Sequence, residues 1–375
     1  MIDPQIPFLP LTPGEDAGAV RAAIDRVVSG GWFVLGPEVD AFESEFADAC
    51  RAKHAIGVGS GTDALALILR ALDIGPGDEV ITTPLSAAYT ALAVMMAGAR
   101  PVFADIDPQR CTIDPEAVNA AVTARTRAIL PVHLYGQAAD MPAIERIASR
   151  HALAIVEDCC QAHLATAAGR AVGTIGVAGA FSFYPTKNLG AFGDGGAVVT
   201  GDAALAARVR RLRNGGQTHR YHHQEAGINS RLDEIQAAIL RARLPFLPAW
   251  TARRRALAAQ YRATLTTASV RAPEEADNGH VYHLFVVRTG GAAAGDRRAD
   301  LQRHLKTRGI ETLVHYPVPI PRQPAFASVG PADCPRATAV CDDVLSLPLH
   351  PRLGGQELTR VATAVAEFQG KDRRE

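Results

Sequence analysis

Lys187 stands in an unusual setting, the stretch FSFYPTKNLGAFGDGG at residues 181–196. The chain contains four lysines and 35 arginines, so arginine supplies most of its positive charge. A lysine can lose its proton at an accessible pH and attack a carbonyl carbon, whereas an arginine stays charged. Most single lysines are solvated surface residues, but the aromatic residues and glycines around this one favour a functional amine. Lys187 is therefore a candidate for covalent catalysis.

Two polar residues lie at or near the ends of apolar runs that are predicted to be strands. Asp158 follows the run LAIVE, and Ser182 lies near the end of the run GAFSF. An acid at the end of a buried strand requires a cationic partner or strong hydrogen-bond donors, because an isolated buried charge is costly. A structural ion pair would satisfy Asp158 equally well, so that alternative stays open. The Ser182 hydroxyl could donate to a phosphate.

A glycine turn precedes a predicted helix in the stretch GSGTDALALILRAL, with the helix beginning near Thr62. A helix N-terminus after such a turn binds phosphate through its free N–H groups and the helix dipole. An ordinary strand-to-helix turn is the alternative. Gly57, Gly59 and Gly61 also resemble a dinucleotide-binding fingerprint, but the third glycine comes one residue early.

One cofactor would use all of these features together. Pyridoxal 5′-phosphate (PLP) requires a lysine amine for its Schiff base, a carboxylate opposite its pyridinium nitrogen, and a cradle for its phosphate. Lys187, Asp158 and the turn before Thr62, together with Ser182, supply these three parts. The glycines after Lys187 allow the backbone to pass close to the cofactor. The residue types therefore predict a PLP site.

The surrounding pattern predicts the elements that position this site. Between about residues 40 and 245, short apolar runs alternate with amphipathic stretches such as DMPAIERIASRH. This alternation predicts an α/β fold whose mostly parallel sheet has helices on both faces. Such sheets bind ligands at the carboxyl ends of their strands. The predicted strands are HAIGV (54–58), EVITT (79–83), PVFAD (101–105), AILPV (128–132), LAIVE (153–157), GAFSF (179–183) and GAVVT (196–200).

A different pattern begins near residue 246. We therefore predict a large PLP-binding domain over residues 1–245 and a smaller α+β domain over residues 246–375. GGAAAG at residues 290–295 is predicted to be a loop. The elements predicted for the smaller domain are a long connecting helix after Pro248, HVYHLFVVRT (280–289), a helix around DLQRHLKTRG, ETLVHYPVPI, and a closing helix in GGQELTRVATAVAEFQ.

The composition excludes several classes of protein. The 375 residues include 39 basic and 39 acidic side chains, so no overall field attracts nucleic acid or an anionic membrane. The N-terminus has no signal-peptide pattern, and no apolar stretch is long enough to span a bilayer. The six cysteines include no CxxC, and Cys159 and Cys160 are adjacent, which favours reduced thiols. We therefore predict a cytoplasmic protein.

Several motifs extend these observations along most of the chain. Between about residues 30 and 350 the sequence resembles the DegT/DnrJ/StrS family of nucleotide-sugar aminotransferases. The resemblance implies a fold-type-I PLP enzyme that forms a homodimer with active sites at the subunit interface. The motifs that carry it are SGTDAL, PGDEVI, GARPVFADID, PVHLYGQ, VEDCCQAH, SFYPTKNLGAFGDGGAVVT, GINSRLDE and HYPVP.

The resemblance also implies a role for each cofactor residue. Lys187 would form the Schiff base, and Asp158 would face the pyridinium nitrogen. Gln161 would contact the ring region, and Asn229 would reach the phosphate of the neighbouring subunit. The residues that would hold the phosphate within one subunit are Gly61, Thr62 and Ser182.

The loop at residues 215–231, GGQTHRYHHQEAGINSR, is long and has no periodicity, which is typical of functional or disordered loops. His222 and His223 are neighbours that point apart, and no further ligands are spaced to join them, so we predict no metal site. In the family this loop shapes the sugar-nucleotide site, which makes Tyr221 and Arg231 candidate substrate contacts.

Arg231 could pair with a diphosphate, or it could form a surface or interface ion pair. His315 and Tyr316 are further candidate substrate contacts, with packing in the smaller domain as the alternative.

Four positions depart from the family pattern. Ala87 stands where the family usually has an aromatic residue, and Pro321 occupies the histidine position of YPxPxHxQ. The stretch HLAT at residues 163–166 lacks the usual glycine after the histidine, and the pair at residues 159–160 replaces small residues. The first two departures concern the sugar pocket and leave the cofactor chemistry intact.

We therefore predict an aminotransferase that moves an amino group from an amino acid, L-glutamate, to a nucleotide-linked keto-deoxyhexose at C3 or C4, with pyridoxamine phosphate as the intermediate cofactor form. A cyclitol or aminohydroxybenzoate-type ketone is the alternative acceptor. A sugar dehydratase of this family would have histidine at the position of Lys187. A nicotinamide-dependent dehydrogenase, based on GVGSG, and a non-catalytic PLP-binding regulator are the remaining alternatives.

Overall fold

The computed structural model describes residues 5–265, 270–290, 294–330 and 332–368, without the side chains of residues 294 and 295. Its strands are β1 His54–Val58, β2 Glu79–Thr82, β3 Arg100–Phe103, β4 Ile106–Asp107, β5 Thr112–Ile113, β6 Thr126–Leu130, β7 Ala154–Asp158, β8 Thr166–Ala167, β9 Arg170–Ala171, β10 Ala178–Ser182, β11 Gly196–Thr200, β12 Gln217–His219, β13 His222–His223, β14 Phe285–Arg288 and β15 Val344–Leu347.

The helices alternate with these strands. They are α1 Ala17–Gly30, α2 Pro37–Cys50, α3 Gly61–Ala71, α4 Tyr89–Met96, α5 Pro115–Ala121, α6 Met141–His151, α7 Ala203–Leu212, α8 Glu234–Arg243, α9 Leu247–Thr264, α10 Ala294–Thr307, α11 Pro335–Asp343 and α12 Gly355–Ala366. None of the described helices is both long enough and apolar enough to cross a bilayer.

The central element is a seven-stranded sheet in the order β1-β11-β10-β7-β6-β2-β3. The pairs β10–β7, β7–β6, β6–β2 and β2–β3 are parallel, whereas β11 runs antiparallel to both of its neighbours. Alternate residues of each strand point to opposite sides of the sheet, so both faces carry apolar side chains. Helices cover these side chains on both faces. The predicted mostly parallel α/β architecture is confirmed.

Each face of the sheet has its own hydrophobic cluster. On one face Ile56, Val156 and Val198 pack with the apolar side of α3 and with α7. On the other face Phe181 and Phe183 pack with Phe42 and Phe46 of α2 at edge-to-face angles. These buried aromatic residues anchor the end of β10, where the chain enters the loop that carries Lys187.

A third cluster lies towards the C-terminus. Residues of α9, α10, α12 and the β14–β15 pair form it, and Ile6 from the N-terminal segment is buried among them. The strand predicted over residues 280–289 is limited to β14, and ETLVHYPVPI contributes only a single bridge, from Leu313 to Ser346. Residues 291–293 of the predicted loop lie outside the described residues. The domain boundary at residue 245 stays a prediction.

Candidate active site

The predicted cofactor residues lie at one edge of the central sheet. β7 ends at Asp158 and the neighbouring parallel strand β10 ends at Ser182, while α3 begins at Gly61 after β1. The carboxyl ends of parallel strands meet at the same edge of a sheet, which is where such folds bind ligands. The fold therefore brings together three of the polar features singled out in the sequence.

The N-terminus of α3 has the form of an anion cradle. The Ser60 side chain caps the helix by accepting the N–H of Asp63 at 3.1 Å, but no described residue accepts the N–H of Gly61 or Thr62. A Cβ atom at position 61 would lie 2.8 Å from the Ser182 Cβ and 2.7 Å from the Cys160 Sγ. Glycine at this position therefore allows the helix N-terminus to approach the end of β10.

Asp158 is 4% exposed and lies at the end of β7. Its Oδ2 accepts a hydrogen bond from the Thr90 hydroxyl at 2.7 Å, and its Oδ1 accepts one from the Cys160 N–H at 3.1 Å. Among the described residues it forms no salt bridge, so the structural ion pair considered as an alternative is absent from this part of the chain. A buried carboxylate of this kind suits a cationic ligand.

Lys187 lies in the turn after β10, where its N–H donates to the Tyr184 carbonyl at 2.8 Å. Burial lowers the pKa of its amine, while the nearby Cys160 thiol and the Asp158 carboxylate raise that pKa in part. The lysine therefore lies close to the acid at the end of β7. A lowered pKa increases the fraction of free amine, which is the form that attacks a carbonyl.

Gln161 joins two parts of the site. Its Oε1 accepts the N–H of Tyr135 at 2.8 Å, and its Nε2 donates to the Tyr316 hydroxyl at 2.9 Å. Burial, together with the positive charge of Lys187, lowers the pKa of the neighbouring His315 to about 4. The structure therefore brings Gln161, His315 and Tyr316 close to the lysine.

Within one chain, the residues predicted as substrate or cofactor contacts in the loop at residues 215–231 do not contact the lysine site. Tyr221 is 80% exposed and stacks under the Arg220 guanidinium, on the hairpin formed by β12 and β13. Arg231 donates to the Asn214 side chain at 3.1 Å, and Asn229 forms a bridge with the same residue. Their contacts with described residues do not include Lys187, so their predicted roles depend on a neighbouring subunit or on substrate.

Two polar residues near the site, Thr90 and His283, carry no functional signal in the sequence. Thr90 reaches Asp158 from α4, and the Asn188 Oδ1 accepts a hydrogen bond from the His283 Nδ1 at 3.2 Å. Burial lowers the pKa of His163 to about 3, with a further contribution from the charge of Lys187. Residues 90 and 283 come from distant parts of the chain, so only the tertiary structure shows that they meet the lysine loop.

Glu157 fixes the strand that carries Asp158. This fully buried carboxylate accepts backbone N–H groups of Gly173, Ile175 and Gly176 at 2.7–2.8 Å. The His133 Nε2 donates to it at 3.0 Å, because the His133 Nδ1 already accepts the Ala139 N–H. The acceptor capacity of Glu157 is used by these donors, so the cluster that it forms with His133 and Cys159 stabilises the fold.

Two of the departures from the family pattern lie next to each other. Ala87 is half-buried just before α4, and Pro321 belongs to a short 3₁₀ helix over residues 320–322. The Ile320 N–H donates to the Pro84 carbonyl at 2.9 Å, and Ile320 packs beside Ala88. Tyr89 is 64% exposed, so its ring does not fill the space beside Ala87 within one chain.

The residues present fit PLP. A protonated ring nitrogen would supply the cation that Asp158 lacks among the described residues, and a phosphate would accept the free N–H groups of Gly61 and Thr62. Lys187 provides the amine, and its charge interacts with the Asp158 carboxylate. The residues that would hold the cofactor within one chain are Gly61, Thr62, Asp158, Ser182 and Lys187, and their individual roles stay predictions.

Comparison with known protein families matches residues 15–366 to the DegT/DnrJ/EryC1/StrS aminotransferase family. The chain belongs to this family. This aminotransferase is 50% identical over 371 residues to the dTDP-3-amino-3,4,6-trideoxy-alpha-D-glucose transaminase of Streptomyces venezuelae, with 97% of this chain and 96% of the relative covered.

Two solved structures show the same architecture. DesV of S. venezuelae, in complex with a ketimine intermediate, has a TM-score of 0.93 and 49% identity, with 98% of this chain and 100% of that chain covered. NtdA of Bacillus subtilis, with bound cofactor PMP, has a TM-score of 0.89 and 31% identity over 96% of this chain and 84% of that chain. The fold-type-I assignment of this aminotransferase is thereby confirmed.

Proposed function

We propose that this aminotransferase uses PLP to move the amino group of an amino acid, L-glutamate, to a dTDP-linked 3-keto- or 4-keto-6-deoxyhexose. The observation that carries the proposal is the grouping of Lys187, Asp158 and the α3 N-terminus at one sheet edge, in a chain whose relative of 50% identity is named a dTDP-amino-sugar transaminase. That relative's name favours amination at C3. The cytoplasmic location stays a prediction.

Each protein group has a role in this proposal. When bound, PLP supplies an aldehyde for the lysine amine and a ring that withdraws electrons from the substrate carbon. Asp158 holds a proton on the ring nitrogen, and Thr90 orients the carboxylate. As a free amine, Lys187 would act as the base and the acid that carry a proton from and to the substrate carbon. Gly61, Thr62 and Ser182 bind the phosphate, which fixes the cofactor opposite the lysine.

We also propose that two copies of the chain form a homodimer with shared sites. Asn229 and Tyr221 are exposed, and their contacts with described residues do not include Lys187. Trp32 and Phe33 are 59% and 50% exposed, and such aromatic residues are enriched at protein interfaces. A partner that covers this surface would bring its loop, with Tyr221, Asn229 and Arg231, towards the sheet edge of the first chain.

The experiment separates the two half-reactions. Purified protein loaded with PLP is mixed with L-glutamate, and we expect one 2-oxoglutarate per site and loss of the visible absorbance band. Addition of a dTDP-keto-deoxyhexose should restore the band and give an amino sugar detectable by mass spectrometry. Lys187→Arg is the control, because arginine keeps the charge but cannot bind the aldehyde.

Other results would indicate the alternatives. Turnover with cyclitol ketones but not with keto sugars would show that the acceptor is a cyclitol. A visible band without amino transfer to any ketone would indicate a PLP-binding regulator. Stoichiometric nicotinamide in place of the band would indicate a dehydrogenase. Survival of the band in Lys187→Arg would move the cofactor to another lysine.

A further inference from the structure

Two adjacent cavities reach the loop that carries Lys187. A cavity of about 710 Å³ is lined by Thr186, His283 and His315 on one side and by Arg254 and Lys306 on the other. A smaller cavity of about 70 Å³ is lined by Lys187, Asn188 and Arg254. Arg254 lines both cavities, and the smaller of them is also lined by Lys187.

Arg254 is a buried cation that has no counter-ion among the described residues. It is 4% exposed, and its Nη1 donates to the backbone carbonyls of Leu349 at 2.8 Å, Tyr282 at 3.3 Å and His283 at 3.4 Å. Its Nε has no hydrogen-bond acceptor, and no carboxylate of the described residues pairs with it. Burial lowers the pKa of its guanidinium to about 10, so the group stays protonated at neutral pH.

Arg213 provides a contrast within the same chain. It is 7% exposed, and its guanidinium forms an ion pair with Glu43 and a 2.6 Å hydrogen bond to the Gly57 carbonyl. A buried charge normally requires such a partner, because desolvation without compensation is costly. Arg254 has the burial of Arg213 but lacks the acid, so its environment is suited to an anion that is not part of the described chain.

The larger cavity is positive as a whole. Its basic side chains are Arg254, Arg303 and Lys306, and Arg303 pairs with Asp300. Its acid is Glu311, whose oxygens already accept the Gln5 side-chain amide at 2.8 Å and the Phe8 N–H at 3.0 Å. Burial lowers the pKa of both His283 and His315, so their rings are neutral and add no positive charge at neutral pH.

We propose that Arg254 binds a carboxylate of the amino-acid donor and thereby positions the donor amine against Lys187. An amino acid carries a carboxylate next to its reacting carbon, and glutamate carries a second one, so an anion site must lie near the lysine. The Arg254 guanidinium belongs to a side chain that lines both cavities, and it can give a charge-assisted hydrogen bond to that carboxylate. This proposal rests on the proposed function and specifies how its donor is recognised.

The competing explanation is that Arg254 only ties the three backbone carbonyls together. The donor half-reaction distinguishes the two, because it requires no sugar and therefore still reports if the proposed acceptor is wrong. In Arg254→Gln we expect the KM for L-glutamate to rise about ten- to a hundredfold, the range of a lost hydrogen bond to a charged group. The KM for the keto acceptor should stay near its wild-type value.

Arg255→Gln is the matched control. Arg255 also donates to a backbone carbonyl, that of His280 at 2.8 Å, but it does not line either cavity. We expect its KM for L-glutamate to match that of the wild type. L-Alanine as donor then identifies the carboxylate: an equal loss with alanine assigns Arg254 to the α-carboxylate, and a loss with glutamate alone assigns it to the side-chain carboxylate.

Ligand binding supplies a readout that is independent of turnover. Glutarate has two carboxylates and no amine, and calorimetry should show that it binds the PLP-loaded wild type and Arg255→Gln with similar affinity. Arg254→Gln should bind it about tenfold more weakly or worse. If Arg254→Gln does not fold, Arg254→Lys decides, since it keeps the charge but loses the planar guanidinium. Unchanged glutarate affinity and an unchanged KM in a folded Arg254 variant would overturn the proposal.

Discussion

Asp158 shows how much of the chemistry depends on a single side chain. Both of its oxygens accept hydrogen bonds, from Thr90 and from the Cys160 N–H, yet no described cation pairs with it. Its type and position at the end of an apolar run are visible in the sequence. The sequence does not show that Thr90 is its partner, because α4 and β7 are far apart along the chain and meet only in the tertiary structure.

Asp158→Asn tests this carboxylate directly. The amide cannot hold a proton on the ring nitrogen, so we expect the variant to retain some PLP but to lose most transamination. Removing one member of a buried ion pair costs about 3–5 kcal/mol. A loss of this size in transition-state stabilisation corresponds to about two to nearly four orders of magnitude in rate, at roughly 1.4 kcal/mol per tenfold. Stopped-flow measurement of the L-glutamate half-reaction gives the rate.

Thr90→Val is the companion variant for Asp158→Asn. It removes one hydrogen bond to the carboxylate and leaves the charge, so its effect should be smaller. If Asp158→Asn reacts at a rate close to that of the wild type, Asp158 has only a structural role and does not act on the cofactor.

The elements were predictable where the hydrophobic pattern is strong. β1 and β11 match their predicted residues, and the other predicted strands of the central sheet differ by one or two residues at their ends. The pattern does not show that β11 runs antiparallel, because strand direction depends on connections that bring distant segments together. It also does not show the close approach of α3 to the end of β10, which depends on one glycine.

Gly61→Ala tests that close approach. An added methyl group would lie 2.7–2.8 Å from the Cys160 Sγ and the Ser182 Cβ, so α3 or β10 must shift. We expect the PLP dissociation constant to rise about tenfold, because the cradle N–H groups would no longer align with the phosphate. Gly18→Ala in α1 is the control, since no atom lies within 4 Å of the added carbon. Equal PLP affinity in both variants would contradict the cradle.

The whole molecule should become less stable in mild acid. Burial lowers the pKa of His163 and His280 to about 3 and that of His315 to about 4, from 6.5 in an unfolded chain. Below pH 6.5 the unfolded chain therefore binds protons that the folded chain does not, and stability falls as the pH falls towards 4. Each such histidine contributes about 1.4 kcal/mol per pH unit across this window.

Thermal unfolding of the PLP-loaded protein between pH 7.5 and pH 5.5 measures this effect. His163→Gln cannot titrate, so its melting temperature should depend less steeply on pH than that of the wild type. His151→Gln, at an exposed position, should follow the wild type. Identical slopes for His163→Gln and the wild type would show that His163 is not a source of the acid sensitivity.

Subunit mixing tests the proposed dimer. Lys187→Ala and Asn229→Asp chains should each be nearly inactive, because one lacks the amine and the other places a negative charge beside the phosphate. In a two-fold dimer that contains one of each, one site has both substitutions and the other has neither. Random exchange makes about half of the dimers mixed, so activity should return to about a quarter of the wild-type value.

Differently tagged chains must first be shown to co-purify after mixing. If exchange is proven and no activity returns, Lys187 and Asn229 do not meet across the interface.

The contact between the two ends of the chain has a consequence for biosynthesis. Ile6 is buried in the C-terminal cluster and bridges to Ile310, and the Phe8 N–H binds Glu311, 303 positions later. During translation this early segment leaves the ribosome long before residues 310 and 311 have been synthesised. Until then it remains an exposed apolar segment without its backbone partner. We expect a nascent chain stalled before residue 310 to be cleaved by protease near Ile6, and release of the full chain to protect the same site.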